Sequence, residues 1–122
     1  MARPILFLAA VSGLLLVILG AFGAHALEPR LPAGHLVWWH KAVSYQGIHT
    51  LAMLGCGLLA LQWPSRPLQV AGWLFLAGIL LFSGSLYALA LSGQRWMGAI
   101  TPIGGLCFLV GWACLAIAAL RH

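Results

Sequence analysis

The stretch ITPIGGLCFLVGWACLAIAAL, residues 100–120, holds no Asp, Glu, Lys or Arg. A helix rises about 1.5 Å per residue, and about 20 apolar residues therefore cross a hydrocarbon core about 30 Å thick. This stretch has that length. Its small residues Gly104, Cys107, Gly111, Cys114 and Ala118 recur at alternating steps of three and four, which places them on one stripe of a helix. Helices in lipid gain little from hydrophobicity when they associate, so such a stripe serves close backbone contact. We expect a membrane helix with a packing seam.

Three further apolar runs lie N-terminal to it, at about 5–26, 43–61 and 70–91. The breaks between them carry turn chemistry: Glu28-Pro29-Arg30-Leu31-Pro32, Pro64-Ser65-Arg66-Pro67 and Ser92-Gly93-Gln94-Arg95. Ala9, Gly13, Gly20 and Ala24 in the first run, and Gly78, Ser85 and Ser92 in the third, form similar small-residue seams. The expected architecture is all-α, an integral membrane four-helix bundle forming one domain over 1–122. The seams serve packing within the bundle or contact with a second copy or a larger membrane complex.

Composition agrees. Of 122 residues, 63% are hydrophobic and 6% charged, with a mean hydropathy of +1.04. A soluble domain carries roughly a quarter of its residues as charged side chains, so the partner here is the lipid bilayer. The formal net charge of +5 would suggest nucleic acid if clustered. Instead Arg3, Arg30, Lys41, Arg66, Arg95 and Arg121 are scattered singly at the ends of apolar runs, as interface anchors are, and no nucleic-acid surface is expected. Trp38, Trp39, Trp63, Trp73 and Trp96 lie near the breaks, where headgroup-level indoles are expected, whereas Trp112 falls mid-helix. Ala24-His25-Ala26 has the form of a cleavage site, but the preceding run exceeds the roughly 7 to 15 apolar residues of a signal peptide. Cys56, Cys107 and Cys114 lie inside apolar runs without CxxC spacing and read as small core residues. Four spans put both termini on one side, and three basic residues then face each side, so the positive-inside rule gives no orientation.

Polar groups inside membrane spans are costly and mark functional candidates. His25 and Glu28 end the first helix, Tyr45, Gln46, His49 and Thr50 open the second, and Ser83, Ser85, Tyr87 and Thr101 come to the same side from the third and fourth. The expected result is a polar vestibule at one leaflet, with the opposite leaflet apolar. It would bind a small polar ligand, ion or proton through His25, Tyr45, Gln46, His49, Ser83, Ser85, Tyr87 and Thr101. The alternative is that these groups hydrogen-bond one another and fix helix register. Haem ligation by His25 and His49, or a metal on His25, Glu28, His40 and His49, is chemically available, but the spacing matches no ligand signature. We assign no cofactor and no metal site. With Glu28 as the one acidic side chain, and no serine or cysteine beside a base and orienting carboxylate, no catalytic residue is assigned either.

Four motifs in order carry a family resemblance: Gly20-Ala-Phe-Gly-Ala-His-Ala-Leu27; Tyr45-Gln46 followed by His49; Phe82-Ser-Gly-Ser-Leu-Tyr-Ala-Leu-Ala-Leu-Ser-Gly93; and Ile100-Thr-Pro-Ile-Gly-Gly-Leu106 with Gly111-Trp112. The chain resembles the YgdD-like family of small bacterial inner-membrane proteins, domain of unknown function 423. The resemblance implies four membrane helices with His25, Tyr45, Gln46, His49, Ser83, Ser85, Tyr87, Thr101 and Pro102 at motif positions, and it implies no activity. It lapses between Pro29 and Lys41, a stretch that includes His35 and His40.

Overall fold

The computed structural model describes residues 2–121. Four helices form, which we label α1 (Ala2–Leu27), α2 (Ala33–Gln62), α3 (Arg66–Ser92) and α4 (Thr101–Arg121), the last preceded by a 3-10 turn at Arg95–Ala99. Two helices contain π turns, α1 at Gly23–Leu27 and α3 at Ile79–Ser83. No strand occurs among the described residues.

Local chemistry sets the ends. Ser65 caps α3 by accepting the Leu68 N–H, with Pro67 in the first turn, where its missing donor costs nothing. Gly93 ends α3 in the left-handed conformation (φ 71°), donating its N–H to the Leu89 carbonyl at 2.8 Å, a geometry in which a Cβ is strained. Pro32 precedes α2, which starts well before the apolar run at Val43. The added turns are amphipathic: Trp39 and Ala42 are buried while Val37 and His40 face outward. Tertiary contact stabilises this stretch as helix where hydropathy alone does not mark one.

Consecutive helices run antiparallel. Ser12 meets Thr50, Ser83 meets Ala42 and Ser85 meets Thr101, while Gly57 lies against Leu6 and Gly111 against Phe75. The α2 and α3 helices form the centre, α1 packing mainly along α2 and α4 along α3. The apolar core, with Ile5, Met53, Cys56, Leu68, Phe75 and Phe108, occupies the half nearer the termini. Phe7, Val17, Leu51, Leu109 and Leu120 are exposed. Such an outer surface suits lipid and not water.

The small-residue seam on α4 is used within the chain. Gly104, Gly111 and Ala118 are buried, and Cys107 and Cys114 half-buried. A Cβ at Gly104 would meet the Phe82 backbone, and one at Gly111 the Phe75 ring. The α3 helix therefore covers the surface that a second copy or larger complex would otherwise have used. Trp39 departs from its expected place at the headgroups: it is 2% exposed, packs 4.7 Å from the Tyr87 ring, and donates its indole N–H to the Leu19 carbonyl at 3.0 Å. Gly23 makes room for it, since a Cβ there would collide with the indole.

Candidate functional site

Three polar residues in the middle of α2 point inward. Gln46, His49 and Thr50 are buried, while Ile48, Leu51, Leu54 and Leu58 on other faces are exposed. This explains why α1, α3 and α4 are long and apolar enough to cross a membrane by composition whereas α2, at 30 residues, is not so marked. Gln46, His49 and Thr50 lower its hydropathy from buried positions.

One network crosses three helices. The Tyr87 hydroxyl donates to Gln46 Oε1 at 2.5 Å, and Gln46 Nε2 donates to the carbonyl and Oγ of Ser12 at 3.1 and 3.2 Å. Ser12 Oγ in turn lies 2.6 Å from Thr50 Oγ1. Gln46 thus bonds to α1 and α3 at once. A second set fixes α3 against α2 and α4. Ser83 donates to the Ala42 carbonyl at 2.7 Å and Ser85 to the Phe82 carbonyl at 2.9 Å. Because Ser85 has spent its one proton, Thr101 is the donor in their 2.5 Å contact.

His49 forms the third set. Its Nδ1 lies 2.8 Å from the Tyr45 carbonyl, and its Nε2 accepts the Trp112 indole N–H at 3.0 Å. A carbonyl only accepts and an indole only donates, so these partners select the neutral imidazole protonated at Nδ1. The ring also stacks on Phe108, with centroids 3.6 Å apart. Both nitrogens are occupied, and an iron or other metal would have to displace Trp112 to reach one. No group of three or more His, Cys, Asp or Glu that could hold a metal ion occurs among the described residues.

The expected vestibule is therefore differently built. Gln46, Ser83, Ser85, Tyr87 and Thr101 are brought together with partners, but those partners are each other and helix carbonyls. No buried side-chain nitrogen or oxygen lacks a partner among the described residues. His25 is exposed on the π turn of α1 and joins none of these networks, and His40 is exposed on α2. Ser12, Trp112 and His35 were not among the expected site residues. Ser12 is a lone hydroxyl in an otherwise apolar run, and Trp112 is the one tryptophan away from a break; both were legible as anomalies. His35, whose Nδ1 bonds the Ala90 carbonyl at 2.8 Å, carries no sequence signal.

Space lies elsewhere. An open cleft of about 530 Å³ lies between α2 and α4, lined by Tyr45, His49, Phe82, Leu106, Phe108 and Trp112 among others. A second, of about 370 Å³ between α1 and α3, is walled by Leu8, Leu15, Leu76 and Leu80, with Ser12, Gln46 and Tyr87 at its lining. Both are mainly apolar. In the first, Tyr45 is 39% exposed and its hydroxyl makes no hydrogen bond among the described residues.

Comparison with known proteins finds relatives that are named membrane proteins. The model of a family described as a protein of unknown function, DUF423, matches residues 19–105. The chain is 46% identical over 123 residues to the UPF0382 inner membrane protein YgdD of Escherichia coli (strain K12), covering 98% of this chain and 92% of that protein. It is 42% identical over 121 residues to the UPF0382 membrane protein YwdK of Bacillus subtilis (strain 168), covering 98% of each. A UPF0382 membrane protein of Staphylococcus epidermidis is 47% identical over 119 residues, covering 98% of this chain and 97% of its own. No solved structure matches the chain.

Proposed function

Because the chain belongs to the DUF423 family of bacterial inner-membrane proteins, its chemistry is that of helices inside a bilayer, and we propose that all four helices cross the membrane and that the α2/α4 cleft binds the apolar part of a lipid-like molecule. In this reading the protein is not an enzyme. Tyr45 and His49 face the ligand, while Gln46, Ser83, Ser85, Tyr87 and Thr101 hold the helices in register around it.

One observation carries the reading: the Tyr45 phenol stands at the cleft without a hydrogen bond among the described residues, beside a His49 whose own bonds are complete. A cleft with mostly apolar walls and one available hydroxyl fits an apolar chain bearing a single hydrogen-bonding group. A small ion fits it poorly, because the surrounding polar atoms are already paired.

Photolabelling of the purified protein in micelles with a diazirine-bearing palmitic acid tests this. The label is expected on the segment 102–112, and Leu106→Trp, which fills the cleft, removes it. Leu120→Trp, on the outer surface, leaves it in place. Tyr45→Phe weakens labelling about fivefold, the loss of one hydrogen bond of about 1 kcal/mol. Labelling indifferent to Leu106→Trp refutes the site.

A further inference from the structure

At the end of the molecule that carries the termini, Arg66 at the start of α3 and Arg121 at the end of α4 line one shallow groove of about 330 Å³ with Pro67, Val70, Cys114 and Ile117. Both arginines are exposed. The one acidic side chain, Glu28, lies in the turn after α1, at the opposite end, so among the described residues neither guanidinium has a side-chain carboxylate to pair with. Two like charges brought to one groove repel, and an anion between them relieves this. Ser65 already takes the Leu68 N–H, so the arginines rather than the helix terminus supply the attraction.

We propose that this groove binds the phosphate headgroup of an anionic phospholipid, with an acyl chain running along Val70, Cys114 and Ile117. Guanidinium matches phosphate in a forked, bidentate geometry. The wall below the arginines is apolar and lies on the outward side of α3 and α4, with Val70 39% and Ile117 44% exposed. A free phosphate would leave that wall unused, whereas a lipid covers it. Trp73, two turns along α3 from Arg66, is also exposed. The inference is independent of the α2/α4 cleft.

The test is native mass spectrometry of the delipidated full chain titrated with dioleoyl-phosphatidylglycerol or with the zwitterionic dioleoyl-phosphatidylcholine. The phosphatidylglycerol adduct is expected to be preferred, and the R66Q/R121Q pair to weaken it about tenfold or more, since each basic residue near a membrane surface contributes roughly a factor of five. The R30Q/R95Q pair, which removes the same charge at the other end, is expected to retain it. Ile117→Glu reaches the same loss with both arginines present, by pairing with Arg121 one turn away. Equal loss in R30Q/R95Q, no preference over phosphatidylcholine, or displacement of the lipid by millimolar inorganic phosphate would each overturn the proposal.

Discussion

Gln46 is the residue on which α1, α2 and α3 converge, through its bonds to Ser12 and Tyr87. Gln46→Leu keeps the volume and leaves the Tyr87 hydroxyl and Ser12 without that partner, at an expected cost of about 1–3 kcal/mol in detergent unfolding. Tyr87→Phe in the same chain removes one orphan, so the double variant should lose less than the sum of the two single losses; strict additivity would show that the bond contributes nothing. His49 gives a second residue-scale expectation. Nitrogen NMR of labelled protein should find Nδ1 protonated and Nε2 bare, and Trp112→Phe should shift Nε2 alone; a protonated Nε2 in the parent chain would contradict the Trp112 contact. The residue types in these networks stand out in the sequence as polar groups in apolar runs. Their partners do not, because Ser12 and Thr50 are 38 positions apart and only the antiparallel packing of α1 on α2 joins them.

At the scale of elements, the glycines of α4 differ in what they face. A Cβ at Gly104 would lie 2.8 Å from the Phe82 Cα, and backbone cannot swing aside, so Gly104→Ala should destabilise the protein by about 1–3 kcal/mol. At neighbouring Gly105 the nearest atom would be the Phe82 ring at 3.8 Å, an ordinary contact, and Gly105→Ala should be neutral or slightly stabilising through helix propensity. Thermal unfolding of the two variants side by side decides it, and equal stability would deny the close α3–α4 approach. The spacing of small residues made this seam readable in advance. The π turns were not readable: Ile79–Ser83 is an apolar segment like its neighbours, and the extra residue per turn is tolerated because α2 and α4 pack around it. Neither was the start of α2, where Pro29 to His40 mixes turn formers with tryptophans that only burial turns into helix.

For the whole molecule, the parity of spans is the decisive quantity. Four crossing helices put both ends on one side of the membrane, whereas three, with α2 lying aside, would separate them. Reporter fusions at the two termini are expected to report the same compartment, and single cysteines at Pro29 and Gln94 to be labelled from the opposite one; termini in different compartments would exclude a spanning α2. The sequence by itself determined that the chain lives in lipid, that it is helical with four helices, and which family it resembles. Those follow from composition, run length and local motif, which need no knowledge of neighbours. Only the tertiary structure decided that the polar cluster is spent on itself, that His25 stands apart from it, and that the α4 seam is covered by α3. It also decided that Arg66 and Arg121, 55 positions apart, share a groove. The physical reason is the same in each case: whether a polar or small residue is available depends on what lies across from it, and in an antiparallel bundle that neighbour comes from a distant part of the chain.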